Sequence, residues 1–168
     1  MKKLILLIAV LGISSVTLAQ SKIEGLGFLK IGSDVSLVER LPKTSYRAHD
    51  GTTVHSPSLL TNKFRVKSYL VTLLTLTDSL KIINKPTSTS LFAEDIILEF
   101  LDNKLVVIHF SNNYRLENTF TKLHGPTDQW SHDDIHADFD LDINSYSIYS
   151  KSLFDIYLYE SQKASAYK

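Results

Sequence analysis

The pair Asp102-Asn103 constrains this chain more than any other feature. Asp95 to Leu101 before it and Lys104 to Phe110 after it both read as strands. Asp and Asn tolerate the left-handed backbone that a two-residue hairpin turn requires. The pair therefore predicts a β-hairpin. Ile96, Leu98 and Phe100 alternate with Ile97, Glu99 and Leu101; across the turn, Leu105, Val107 and His109 alternate with Val106, Ile108 and Phe110. Both arms are apolar at most positions, which places the hairpin centrally in a sheet, covered on both faces for part of its length. Asn112 to His124 then reads as a short helix. Its Leu116, Phe120 and Leu123 fall at i, i+4 and i+7, one stripe that can lie on the sheet, and Gly125-Pro126 closes it.

The remaining segments fit an antiparallel sheet built around this unit. Gly25 to Ile31 reads as a first strand. Ser33 or Asp34 can cap a short helix through Leu41, with Val35, Leu37, Val38 and Leu41 on one apolar face and Pro42 as its stop. Lys43 to Asn62 is polar and reads as a long loop. Phe64 to Leu76 reads as a strand that moves from a half-exposed to a central position. Thr77 to Ser79 is a turn, Leu80 to Ile83 a short partner strand, and Asn84 to Ser90 a surface connection. Trp130 anchors the strand that follows it, and Ile135 to Ile143 alternates cleanly. Tyr146 to Tyr149 and Phe154 to Tyr159 read as the arms of a last hairpin, and Ser161 to Lys168 as a polar tail. The expectation is one α+β domain: an antiparallel β-sheet of about six to eight strands, with two short helices at about 33–41 and 113–124 packed on it.

The start of the chain predicts a compartment. Lys2 and Lys3 precede a ten-residue apolar run, Leu4 to Ile13, and small residues stand at Thr17 and Ala19. This is the pattern of a secretory signal peptide over residues 1–19, with Gln20 as the new N-terminus. The run is too short to span a membrane, which takes roughly 20 apolar residues. The expected location is periplasmic or secreted. Loss of Lys2 and Lys3 leaves 16 Lys and Arg against 18 Asp and Glu, a net charge of −2. That balance gives no reason to expect nucleic acid or an anionic membrane as a partner. Residues 20–168 are the size of one domain. The chain has no cysteine, so disulfides, thiol catalysis, thiolate metal sites and a lipid-modified cysteine are all excluded.

Two clusters carry candidate chemistry. On a strand, His136, Asp138, Asp140 and Asp142 stand in a row. Hard cations take carboxylate oxygens. Side chains two apart lie about 7 Å apart, however, which is wide for one ion. The calcium-loop pattern also fails, with Ile143 and Tyr149 where glycine and glutamate belong. The plainer reading is a solvated strand face. His132 and His136 are four apart, but Asp133-Asp134 between them reads as a turn, and no glutamate follows His132 as a zinc protease requires. Asp138 or His124 could complete a zinc set with them. The candidate metal residues are thus His132, His136, Asp138 and Asp140.

The second cluster is aromatic. Tyr157 and Tyr159 share one face of the expected last strand, with Phe154, Ile156 and Leu158 on the other. Tyrosine offers large contact area, so Tyr157, Tyr159 and Trp130 are the candidate binding residues. The plainer reading is that the tyrosines cover the sheet surface. Gly25-Leu-Gly27 lacks a third glycine, and no phosphate loop, nucleophile elbow or kinase signature is present. These observations favour a non-catalytic binding or envelope-accessory protein, with another envelope or extracellular protein as its partner and no required cofactor. The alternative is a metal-dependent or hydrolytic enzyme that uses His132, His136 and Asp138.

Two stretches share a form. Leu37-Val-Glu-Arg-Leu41-Pro42 follows Ile31-Gly32, and Phe120-Thr-Lys-Leu123-His-Gly125-Pro126-Thr127 leads to Trp130. A short helix that closes at a proline before antiparallel strands resembles the helix-then-meander unit of BamE/SmpA-type envelope proteins and of the β-lactamase-inhibitor-protein-like fold. The resemblance implies that fold and the binding of other proteins. The chain departs from the lipoprotein members in lacking the anchoring cysteine, and no binding residues carry over.

Overall fold

Asp102 and Asn103 both adopt positive φ, 49° and 64°, and Leu101 pairs directly with Lys104 across them. They join β7 (Phe92–Leu101) to β8 (Lys104–Ser111), the expected central hairpin. The computed structural model describes residues 22–47, 51–75, 92–111, 118, 121, 129–140 and 142–166. In it, β7 and β8 sit in a seven-stranded antiparallel sheet with β5 (Ser58–Lys63), β6 (Val66–Thr75), β9 (Gln129–His132), β10 (Ile135–Asp140) and β11 (Ser145–Ser150). The spatial order is β5-β6-β7-β8-β11-β10-β9. Two small hairpins stand apart from it: β1 (Gly25–Leu26) with β2 (Leu29–Lys30), and β3 (Thr44–Arg47) with β4 (Thr53–Ser56). The fold is α+β, and the main sheet is antiparallel throughout.

The two faces of the sheet are covered by opposite ends of the described chain. On the first face, Ile96, Leu98, Phe100, Leu105, Ile108, Phe110, Ala137, Tyr146 and Ile148 pack with Ile23, Leu26, Leu29, Leu37, Val38 and Leu41. The N-terminal segment is tied down there by backbone bonds: Gly32 N–H to the Leu105 carbonyl at 2.7 Å, and Leu105 N–H to the Ser33 carbonyl at 2.8 Å. Within it, Val35–Arg40 forms a 3-10 helix. Asp34 caps it, its carboxylate accepting from Ser36 N–H at 3.0 Å, close to the expected helix at 33–41. On the second face, Val66, Leu101, Val106 and Val107 pack under Tyr157, with Leu153 and Phe154 beside it. A bulge at the β7–β8 pairing turns both Val106 and Val107 to this side.

Three expectations need correction. The last hairpin arm and the polar tail are one α-helix, Lys151–Ala166. Leu153, Tyr157 and Ala164 fall on its inner face, so the period of 3.6 wins over the apparent alternation of Phe154, Ile156 and Leu158. The expected loop Lys43–Asn62 holds β3, β4 and most of β5. These strands leave one side to solvent and need no apolar run; the Ser56 hydroxyl fastens β4 to β6 by accepting from Thr72 N–H at 3.0 Å. The Gly25–Ile31 strand is a tight hairpin turning at Gly27-Phe28. The expected helix at 113–124 lies outside the described residues except for Asn118 and Thr121, which are helical; the strand at 80–83 lies wholly outside them. Among the described residues no helix is long and apolar enough to cross a membrane.

Candidate functional site

Strand alternation distributes the candidate residues over the two faces. Trp130 is 7% exposed and lies in the core on the first face, its ring 6.1 Å from that of Tyr146. It is a packing residue and displays nothing. His132, two residues on, points to the same side of β9, and its Nδ1 lies 3.0 Å from the Asp133 carboxylate. His136, Asp138 and Asp140 are on the second face, opposite Ala137 and Phe139. His132 is thereby separated from His136 and Asp138 by the sheet itself. The row on β10 exists as expected, but each member is occupied locally. The His136 ring stacks on Tyr149 with centroids 5.8 Å apart. Asp138 accepts from the Tyr149 hydroxyl at 2.7 Å. Asp140 accepts from Asp142 N–H at 2.9 Å and closes the turn into β11. Among the described residues, no three His, Asp or Glu side chains are grouped to hold a metal ion.

Tyr157 and Tyr159 are separated by the helix, since residues two apart point about 200° from each other. Tyr159 is 60% exposed, with Lys163 Nζ 4.2 Å from its ring centroid. Tyr157 is buried and donates its hydroxyl to Glu99 Oε2. Glu99 was not singled out by its sequence, where it reads as the outward member of an alternating strand. Burial pushes its carboxyl above the usual range, against the pull of the tyrosine bond. Burial also pushes the Tyr157 phenol up, as does the neighbouring carboxylate.

The same face carries a second unanticipated pair. His109 on β8 is opposite Ser147 on β11, and Nδ1 lies 2.8 Å from the serine Oγ. Burial lowers the His109 pKa and keeps the ring neutral. Asp138 stands on the far side of Ser147 in the next strand, bonded to Tyr149. The row therefore runs His, Ser, Asp with the serine in the middle, so the aspartate does not orient the histidine as an acyl-transfer triad requires.

Two clefts flank the β5 end of the sheet. On the second face, Glu99 and Tyr157 floor a cleft of about 470 Å³ between the C-terminal helix and β5, walled by Leu60, Lys63, Ser161 and Ser165. On the first face, a cleft of about 490 Å³ opens where Lys67 and Tyr69 of β6 meet Val35, Val38 and His55. Comparison with known protein families, with curated proteins and with solved structures finds no match. Function must therefore be argued from these surfaces. β5 is an outer strand of the sheet, and its Leu59 and Leu60 are 53% and 51% exposed. Lys43, Lys67 and Glu39 line the first-face cleft, Lys63 and Glu99 the second, and Arg65 pairs with Asp102.

Proposed function

We propose that the mature chain is an exported, non-catalytic binding protein that takes an extended segment of another envelope or extracellular protein as an added strand on β5. The observation that carries the reading is the apolar outer strand: among the described residues β5 is last in the sheet order, next to β6, and its Leu59 and Leu60 are both more than half exposed. An outer strand of this kind is a template for another chain. The added segment must be extended, because only an extended backbone can match that strand. Its side chains would alternate between the two faces of the sheet. The bulge between Leu59 and Thr61 restricts the pairing to a short run. The same reading takes residues 1–19 as a cleaved leader and keeps a short helix at about 113–124.

The test is capture by tagged mature protein from envelope extract and culture fluid, with and without EDTA. The expected partner is held in both conditions and lost from the Leu59→Glu, Leu60→Glu variant. In the complex, amide protons of Ser58 to Lys63 gain exchange protection. Capture that survives the variant, protection elsewhere, self-association through β5, or nuclease-sensitive retained material overturns the reading. Loss of capture in EDTA would make the β10 carboxylates a metal site instead.

A further inference from the structure

We propose that the cleft floored by Glu99 binds a protonated primary amine, as a second site distinct from strand addition. The argument starts from where the protons are. The Tyr157 hydroxyl donates its hydrogen bond to Glu99 Oε2. Ser161 Oγ donates to the Leu158 carbonyl at 2.9 Å, and Ser165 Oγ donates to the Ser161 carbonyl at 3.0 Å. The oxygens of Tyr157 and Ser165 therefore offer the cleft lone pairs, while the Ser161 hydroxyl also reaches the Tyr157 oxygen. Glu99 is an acceptor as well, and among the described residues its Oε1 takes no hydrogen bond. The helix side and the floor form a set of acceptors with one acidic group among them.

Lys63 is the basic residue that lines the cleft. No basic side chain lies close enough to Glu99 to affect its titration; only burial and Tyr157 do. The charged groups around it are Lys63 on the β5 wall and the Arg65–Glu160 pair, 3.8 Å apart, further along the helix. An anionic ligand brings no donor for the Glu99 carboxyl oxygens. A neutral alcohol brings one donor and no charge. A quaternary ammonium brings charge and no donor. A primary ammonium brings both, with three donors for the acceptors present. Leu60, Val66 and Ala164 supply apolar wall for a short alkyl chain.

The experiment titrates the mature full chain with n-butylamine, n-butanol and tetramethylammonium, reading backbone amide shifts. Butylamine is expected to shift signals from Tyr157 to Ser165 saturably, and the other two to bind at least about tenfold more weakly. Glu99→Gln should lose at least about tenfold in amine affinity. Binding should also weaken as pH falls through the Glu99 titration, because the neutral acid offers no counter-charge. Should Glu99→Gln fail to fold, Ser161→Ala with Ser165→Ala removes two acceptors and must also weaken the amine. Equal binding of butanol, or unchanged amine affinity in every variant, overturns the proposal. A lysine residue carries the same group, so N-acetyl-lysine methylamide is titrated in parallel. Binding of both compounds identifies a partner's lysine side chain as an admissible ligand; binding of butylamine alone identifies a free amine.

Discussion

The carboxylate of Asp134, in the turn between β9 and β10, accepts from the backbone N–H of Ser152 at 2.8 Å and so caps the C-terminal helix from 18 residues away. The first N–H groups of a helix have no partner within it. Here Ser150 Oγ accepts from Leu153 N–H at 3.3 Å, and Asp134 Oδ2 accepts from the Ser150 and Ser152 hydroxyls. The Asp134 backbone carbonyl takes Lys151 N–H at 2.8 Å. The helix start is thus assembled by a turn that lies elsewhere in the sequence.

Asp134→Ala should lower stability by about 1 kcal/mol, the usual worth of a cap. The hydrogen bond from Ser150 leads the causes that hold the Asp134 carboxyl below its ordinary value. A depressed carboxyl contributes stability above its unfolded pKa of about 3.9 and loses it as pH falls through the folded value. Denaturant melts of wild type and variant should therefore differ at neutral pH and converge in acid.

Glu99 has the opposite sign. Its folded pKa is raised above 4.5, so the folded state holds its proton more tightly than the unfolded chain does. Its contribution is complete below the unfolded value and declines as pH rises through the folded one. Glu99→Gln keeps an acceptor for Tyr157 and removes the buried charge. The variant should melt higher than wild type at neutral pH and no higher at about pH 4, near the ordinary value. A lower neutral-pH melting temperature for the variant would contradict the assignment.

The β7–β8 turn makes a third prediction. Asn103 has φ 64° and accepts from Lys67 Nζ at 2.8 Å, and Asp102 pairs with Arg65. Asn103→Val should cost about 1–2 kcal/mol for the left-handed backbone alone. Asn103→Gly should restore most of that loss, since glycine adopts this conformation freely. Urea midpoints of the two variants separate the backbone effect from the lost Lys67 bond.

Gly25 makes the fourth. A Cβ placed there would stand 1.9 Å from the Leu29 carbonyl oxygen, which belongs to the facing strand of the β1–β2 hairpin. Backbone cannot swing aside as a side chain does. Gly25→Ala should cost about 1–3 kcal/mol by overpacking, read from the urea midpoint, with early exchange of the Leu29 and Lys30 amides.

The parts of this fold that were legible in the sequence are those specified by neighbours. Asp102-Asn103 and Asp133-Asp134 each turn the chain between strands that are consecutive, and their local chemistry is sufficient. Ala137 is buried on the face that the alternation of Ile135 to Ile143 assigns it. The helix at Lys151–Ala166 was hidden because Leu153 to Tyr159 satisfies two periods at once, and its cap comes from Asp134. β3 and β4 were hidden because they pair with each other outside the main sheet. Glu99 gave no signal, since what distinguishes it is the helix lying over it. The separation of His132 from His136 was readable in principle: a two-residue turn at Asp133-Asp134 pairs His132 with Ile135, and so puts His132 and His136 on opposite faces.

The strand order has a consequence for how the molecule comes together. β5 to β8 and β9 to β11 are each a meander of sequential neighbours, and the two are joined along one line, Val107 to Ser111 against Ser145 to Tyr149. Phe110 and Tyr146 stack across that line with ring centroids 5.3 Å apart. The turns at Phe64-Arg65, Asp102-Asn103 and Asp133-Asp134 each join sequence neighbours, while the line between the halves pairs residues more than 30 apart, the longer loop to close. A second copy could supply β9 to β11 to the first and meet the same residues along that line, which makes the boundary between the halves the natural place for two chains to exchange parts.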